Sequence, residues 1–124
     1  MTLSDKVRGT IVLAHGSRDA LWRRPIEAVA ERIRQLAPAV HVRCAYLEAS
    51  VPDLNASADE LAELGVELIT VVPLFLGIGK HARDDIPVLL AELRKRHPGI
   101  AFVLRPAIGE EAQMIELMAR IALS

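Results

Sequence analysis

The sequence has few aromatic residues, one cysteine and almost no net charge, and each shortage excludes a class of protein. Aromatic residues make up 3% of the chain, too few for the stacking surface that binds single-stranded nucleic acid. The formal net charge is −1, which gives no electrostatic footprint for DNA or RNA. The single cysteine, Cys44, excludes an internal disulfide and a cysteine-based zinc motif. We expect no nucleic-acid partner, and we interpret Cys44 as a small buried hydrophobic residue.

Long apolar segments and a targeting segment are also missing. The apolar run over residues 68–76 is too short to span a bilayer, and Pro73 interrupts it. Residues 1–8 are mostly polar and lack the apolar stretch of a signal peptide. Hydrophobic residues are 52% of the 124 positions, which favours one folded domain with a substantial core. The sequence therefore predicts a cytoplasmic protein that does not associate with a membrane.

Four strand patterns alternate with four helix patterns along the chain. Apolar, β-branched runs predict strands over residues 10–14, 41–46, 68–76 and 100–104. Apolar residues spaced three or four positions apart predict a helix after each strand, the first over residues 23–36. The helical side chains predicted to face the sheet are Ile26, Val29, Ala30, Ile33, Leu54, Ala58, Leu61, Leu64, Ile86, Leu89, Leu90, Leu93, Met114, Leu117, Met118 and Ile121.

This alternation is typical of an α/β fold with a single doubly wound domain. It implies a four-stranded parallel sheet with right-handed crossovers and helices on both faces. We predict the flavodoxin-like strand order 2-1-3-4, in which the first and third strands are neighbours. Ligands of such folds bind beyond the carboxyl ends of the strands, at the point where the strand order reverses.

Three side chains with useful chemistry follow three of the predicted strands. His15 follows the first strand, Glu48 the second, and His81 comes from a glycine-containing loop after the third. A pair of neutral imidazoles suits Co²⁺, Ni²⁺, Fe²⁺ or Zn²⁺ and leaves coordination positions open. Glu48 is a candidate third ligand or general acid/base. The alternative is that the histidines make only local hydrogen bonds and that Glu48 is a solvated loop carboxylate.

Other polar residues near these loops have simpler interpretations. Asp84 and Asp85 are expected in the first turn of a helix, where negative charge suits the helix dipole. His41 and His97 lie near the opposite, amino ends of strands and are interpreted as structural. Residues 77–80 lack the glycine frame of a phosphate loop, so no nucleotide cofactor is expected. The basic residues in the loops, which either bind substrate carboxylates or are ordinary surface charges, are Arg18, Lys80, Arg83 and Arg105.

Three motifs, in this order along the chain, resemble the small CbiX-type chelatases. They are Leu13-Ala14-His15-Gly16-Ser17-Arg18-Asp19, then Tyr46-Leu47-Glu48 with Pro52, then Val72-Pro73-Leu74-Phe75-Leu76 with Gly79, His81 and Asp85-Ile86-Pro87. These chelatases are similar to the sirohydrochlorin cobaltochelatases and ferrochelatases. The resemblance covers nearly the whole chain and implies one CbiX-type domain over residues 1–124 with the chelatase fold.

The resemblance also implies an activity and partners. It implies a lyase that inserts a divalent metal, Co²⁺ foremost and Fe²⁺ or Ni²⁺ as alternatives, into sirohydrochlorin in cobalamin or siroheme biosynthesis. The metal is then a substrate, so no tightly bound cofactor is expected. Longer chelatases carry two such domains around one cleft, whereas the short ones pair, so we expect a homodimer. The alternative from another functional class is a carrier that binds metal or tetrapyrrole through the same histidines without turnover.

The resemblance assigns roles to individual residues of this chain. His15 matches the first metal ligand and proton acceptor, and His81 matches the second metal ligand. Glu48 matches an acidic position that is less uniform in the family, with a role in catalysis or in binding the substrate. The residues that match the loop in contact with the tetrapyrrole are Leu76, Gly77, Ile78, Gly79 and Lys80, followed by His81.

Overall fold

A computed structural model describes residues 6–124; residues 1–5, the start of the polar segment discussed above, lie outside the described range. Within it, four parallel strands form one sheet in the order β2-β1-β3-β4. The strands are β1 (Arg8–Ala14), β2 (His41–Tyr46), β3 (Leu68–Pro73) and β4 (Ala101–Leu104). The helices are α1 (Arg24–Leu36), α2 (Leu54–Glu63), α3 (Lys80–Arg96) and α4 (Ala112–Leu123), with short 3-10 helices at Ala20–Arg23 and Ile108–Glu110. The predicted α/β fold and strand order are confirmed.

Strand β1 lies at the centre of the sheet, between β2 and β3. Leu13 stands opposite Ala45 on one side and opposite Pro73 on the other. Residues on both faces of β1 are inaccessible to solvent, with Ile11 at 0% and Val12 at 1% exposure, as expected for a parallel strand covered on both faces. Strand β3 ends at Pro73, three residues before the predicted end, since proline has no N–H to donate to a neighbouring strand.

Helices cover the two faces of the sheet unequally. The larger apolar cluster joins Ile11 and Leu13 of β1 to α2 and α3 through residues such as Leu61 and Leu90. The smaller cluster joins Val12 to the single fully buried residue of α1, Ala30. Helices therefore lie on both faces, as predicted, but most of the buried apolar volume is on the side of α2 and α3.

Helix α3 begins earlier than the sequence indicated, and His81 is part of it. Gly79 is its N-cap residue, and the first turn closes where the Arg83 N–H donates to the Gly79 carbonyl at 2.9 Å. Asp84 and Asp85 therefore lie beyond the first turn, so the prediction that they begin the helix was wrong. Pro87 lies inside the helix, at a cost of about 3 kcal/mol that the burial of neighbouring apolar side chains offsets.

Several side chains predicted to face the sheet are exposed instead. Leu64 is 46% exposed because α2 ends before it, and Val29 is 41% exposed because it lies on the flank of α1. Helix α4 has no buried residue at all. Of its predicted inward residues, Leu117 and Ile121 are exposed, whereas Met114 and Met118 are partly buried. Cys44, predicted to be buried, is also only partly buried.

His41 and His97, which were predicted to be structural, do not lie at the carboxyl end of the sheet. His97 follows α3, and its Nε2 lies 2.9 Å from an Asp59 carboxylate oxygen on α2, away from the candidate site. His41 is the first residue of β2, at the amino end of the sheet. Across residues 6–124, no helix is both long enough and apolar enough to cross a membrane.

Truncating a core side chain of α2 tests the packing described above. Leu61 is 0% exposed and Leu64 is 46% exposed, so the two leucines form a matched pair at the same end of one helix. Leu61→Ala is expected to lower the free energy of unfolding by about 2–5 kcal/mol. Leu64→Ala is expected to lower it by less than about 1 kcal/mol. Urea denaturation followed by circular dichroism measures both, and equal losses would contradict the packing.

Candidate functional site

His15, Glu48 and His81 line one cleft of about 640 Å³ at the carboxyl end of the sheet. The three residues come from the segments that follow β1, β2 and β3, so the convergence results from β1 lying between the other two strands. The other residues that line the cleft are Leu47, Ala82, Asp85, Val88 and Leu89. The cleft thus combines two imidazoles and two carboxylates with an apolar wall from α3.

Backbone hydrogen bonds extend the β1–β2 pairing beyond the strands and fix His15 beside Glu48. The Leu47 N–H donates to the Ala14 carbonyl at 3.0 Å, and the Glu48 N–H donates to the His15 carbonyl at 2.8 Å. Gly16 makes this approach possible, since a Cβ at that position would lie 1.7 Å from the Glu48 carbonyl oxygen. Its φ of +110° is also unfavourable for any residue with a side chain.

The His15 ring is positioned by Phe75, a residue that the sequence reasoning did not single out. The two ring centroids are 4.2 Å apart with an interplanar angle of 24°, a stacked arrangement. Phe75 is 3% exposed, and its carbonyl accepts a hydrogen bond from the Gly109 N–H at 2.9 Å. One face of the exposed imidazole is therefore held against a fixed ring. Only the adjacency of β1 and β3 could have revealed this contact in advance.

His81 lies in the first turn of α3 and not in the preceding loop, which corrects the prediction. Asp85 is four residues further along the same helix, so the two side chains share one helix face and line the same cleft. The four-residue spacing of His81 and Asp85 is present in the sequence. Because His81 was predicted to lie before the helix, this spacing did not predict that the two side chains share a helix face. The structure thus adds Asp85 to the candidate residues.

Most of the predicted tetrapyrrole-contact loop does not line the cleft. Leu76 is 69% exposed, and neither it nor Gly77, Gly79 or Lys80 is among the lining residues. Ile78 lines a separate cavity of about 290 Å³, beside α3 and the segment after β4. Of the predicted loop and His81 together, only His81 forms part of the cleft wall.

The donor set of the cleft allows at most a weakly held ion. In the described range, no three histidine, cysteine, aspartate or glutamate side chains are close enough to form a metal site together. A divalent ion shared by two imidazoles would keep several coordination positions open for water or an incoming ligand. Such a site favours transfer of a metal over its permanent storage.

Tyr46, the last residue of β2, precedes the cleft residue Leu47 but does not itself line the cleft. Its side chain is almost fully buried, and burial, followed by the nearby Cys44, raises the pKa of Tyr46 to about 12. The phenol therefore stays neutral near pH 7. The titratable side chains that line the cleft are two histidines and two carboxylates.

Comparisons with known proteins agree on one family. The CbiX family model matches residues 9–122. The chain is 34% identical over 80 residues to a sirohydrochlorin cobaltochelatase from Methanopyrus kandleri, with the aligned region covering 64% of this chain and 56% of that protein. The chain therefore spans little more than half the length of this relative.

Two solved structures share the fold. A CbiX protein from Marinobacter aquaeolei VT8 superposes with a TM-score of 0.80 at 33% identity, covering 93% of both chains. The sirohydrochlorin chelatase SirB from Bacillus subtilis subspecies spizizenii, solved in complex with cobalt, superposes with a TM-score of 0.77 at 25% identity. That match covers 93% of this chain but 50% of SirB, so this chain corresponds in extent to half of the longer protein.

Adding one methyl group at Gly16 tests the contact between the two loops. Gly16→Ala is expected to cost about 1–3 kcal/mol of stability and to displace Glu48, because the new Cβ would overlap the Glu48 carbonyl. Gly77→Ala is the control, since its Cβ would meet no atom within 4 Å. Urea unfolding and the Glu48 amide signal in NMR spectra report the two effects. A Gly16→Ala protein with unchanged stability and an unmoved Glu48 amide would refute the contact.

Proposed function

Because this chain belongs to the CbiX family, whose model matches residues 9–122, we propose that it is a chelatase that inserts a divalent metal into sirohydrochlorin. The observation that carries the proposal is the meeting of His15 and His81, 66 positions apart in the sequence, at one cleft with Glu48. The cobaltochelatase name of the Methanopyrus relative and the cobalt bound to SirB favour Co²⁺ as the metal. Sirohydrochlorin and Co²⁺ are both substrates in this proposal.

Metal insertion exchanges two pyrrole N–H protons for one divalent ion. The enzyme must therefore deliver the ion and accept two protons while the ring nitrogens replace the protein ligands. We assign delivery to His15 and His81, whose imidazoles leave the remaining coordination positions free for ring nitrogens. A neutral imidazole can accept a proton once it has released the metal.

Glu48 and Asp85 are suited to pass the released protons to solvent. Glu48 is exposed and is joined to His15 through the backbone hydrogen bond of 2.8 Å. Asp85 lies on the same helix face as His81. We assign His15 the first proton and Glu48 the second, with Asp85 on the opposite wall of the cleft. The metal ends in the ring, and both protons leave through carboxylates open to water.

The loop before α3 is assigned to the edge of the macrocycle. Leu76 and Lys80 are exposed, and Gly77 and Gly79 leave the loop backbone unobstructed. A flat ring seated over the cleft would meet Leu76 by apolar contact and Lys80 by attraction to a peripheral carboxylate.

The cytoplasmic location and the choice between cobalamin and siroheme biosynthesis stay predictions.

Removing the His15 imidazole tests the proposed activity. His15→Ala is expected to lower the rate of Co²⁺ insertion by at least about 100-fold, because both a metal ligand and the first proton acceptor are lost. His41→Ala is the control, since His41 lies at the opposite end of the sheet. The measurement is the loss of the free-base absorption band of sirohydrochlorin. If Co²⁺ enters sirohydrochlorin no faster with wild-type protein than without protein, the chain is a carrier and not an enzyme. If His15→Ala keeps full activity, the role assigned to His15 is wrong.

We further propose that the active form is a homodimer that covers α4. The helix has no buried residue, although Ile115, Leu117 and Ile121 are 54%, 49% and 63% exposed. Val103 of the edge strand β4 is also 45% exposed. Several exposed apolar side chains on one helix are unfavourable in water and are typical of an interface between protein chains. A second copy would also supply a second domain, as the resemblance to longer, two-domain chelatases implies, and this chain matches 50% of SirB.

Charge placed on the apolar side of α4 tests the dimer. Wild type is expected to have twice the mass of one chain by light scattering, and Leu117→Glu combined with Ile121→Glu is expected to shift it to the monomer. Glu116→Lys changes charge on the polar side of the same helix and should leave the mass unchanged. A monomeric wild type at micromolar concentration would rule the dimer out.

A further inference from the structure

A second cavity, of about 440 Å³, adjoins the loops that carry His15 and Glu48. The first cleft is walled by α3, whereas this one is walled by the 3-10 helix Ala20–Arg23 that precedes α1. The residues that line it are Ser17, Arg18, Arg23, Ala49, Ser50 and Val51. None of these side chains is acidic and two are arginines, so the cavity presents positive charge.

The loops around this cavity are fixed by their own hydrogen bonds. The Ser17 N–H donates to the Ser50 hydroxyl at 3.1 Å, and that hydroxyl donates to the Ser17 carbonyl at 2.6 Å. Ala49, between Glu48 and Ser50, adopts a φ of +58°, a conformation that residues with side chains rarely occupy. The cavity is therefore a defined structure, held by reciprocal bonds at the cost of one unfavourable backbone conformation.

Arg23 lines this cavity, and its charge is not neutralised by a nearby carboxylate. Among the residues that the structure describes, Arg23 forms no ion pair with Asp19 or Glu27, the acidic residues four positions before and after it. Its Nε is buried and has no hydrogen-bond partner, which is unfavourable for stability. The side chain as a whole is partly exposed, so its guanidinium is available to an anionic ligand in the cavity.

We propose that this cavity is a carboxylate subsite in which Arg23, assisted by Arg18, binds one peripheral acetate or propionate of the tetrapyrrole. The inference rests on the proposed function, because sirohydrochlorin supplies the carboxylate. The planar guanidinium matches a carboxylate through two parallel hydrogen bonds. Arg23 would thus donate N–H groups from its two terminal nitrogens to the two oxygens, because its Nε is buried.

The position of the subsite gives it a role in orienting the ring. Ser17 and Arg18 are two and three residues beyond His15, and Ala49 directly follows Glu48. A macrocycle seated over His15 and His81 therefore extends a side arm across these loops toward Arg23. Anchoring that arm fixes which pyrrole edge faces His15. Arg23 is accordingly a substrate-binding and positioning residue rather than a catalytic one.

The test compares ring binding with stability in matched arginine variants. Trp22 is the one tryptophan of the chain and adjoins Arg23, so its fluorescence reports metal-free sirohydrochlorin binding. Arg23→Gln is expected to raise the Kd for sirohydrochlorin about 10-fold or more. Arg23→Lys, which keeps the charge but not the planar fork, should recover part of the loss. Arg24→Gln is the control, because Arg24 is exposed and does not line the cavity.

Thermal unfolding without ligand separates binding from a structural role. Arg23→Gln is expected to unfold at the same temperature as wild type or at a higher one, because it removes an Nε donor that is buried without a partner. Unchanged sirohydrochlorin affinity in Arg23→Gln overturns the subsite and leaves the proposed function standing. The same conclusion follows if Arg23→Gln unfolds at a lower temperature and this loss of stability accounts for its weaker binding. Wild type that binds no sirohydrochlorin overturns both. Citrate binding to wild type and to Arg23→Gln is the second measurement. If Arg23→Gln weakens the binding of citrate but not of sirohydrochlorin, the cavity binds free carboxylates and the proposal is wrong.

Discussion

The candidate site depends on the placement of β1 between β2 and β3. This parallel arrangement sends the segments after all three strands to one edge of the sheet, and the site residues follow from it. The β1–β2 hydrogen bonds continue past the strand ends, so the His15 carbonyl accepts from the Glu48 N–H at 2.8 Å. On the other side, β3 brings Phe75 beneath the His15 ring. The sheet thus fixes both the backbone and the side chain of His15.

Departures from ordinary folding preferences concentrate around this edge. The loops beside His15 and Glu48 contain a glycine at positive φ, Gly16, and an alanine at positive φ, Ala49. The buried Arg23 nitrogen without a partner lies beside the same loops. Apart from Pro87 inside α3, the chain elsewhere follows local rules, as where the Asp53 side chain accepts from the Ala56 N–H at the start of α2. Unfavourable features grouped at one edge indicate selection for binding rather than for stability.

Much of the fold could be predicted from local patterns, whereas the details of the site depend on contacts distant in sequence. Strand β2 has the predicted bounds, and the strand order 2-1-3-4, predicted from the alternation of strands and helices, is confirmed. The start of α3 was misplaced because Asp84 and Asp85 resemble a first turn, while Gly79 begins the helix.

The residues missed or misjudged were those whose environment is set by parts of the chain distant in sequence. The stacking of Phe75 on His15 arises from strand order, and the unpartnered Nε of Arg23 arises from loop packing. Neither leaves a periodic signal in the sequence. The apolar face of α4 gave the periodicity of a buried helix, but one chain does not bury it. The periodicity of apolar residues in α4 predicts that one helix face is buried, but it does not show what that face packs against.

The account stands on two imidazoles from distant parts of the chain binding one ion. Cobalt K-edge X-ray absorption of the Co²⁺-loaded protein measures this directly, since imidazole ligands give a characteristic multiple-scattering signal. The account predicts two imidazoles per cobalt in wild type and one in either His15→Ala or His81→Ala. A wild-type spectrum with no imidazole, or one that His81→Ala leaves unchanged, would contradict it.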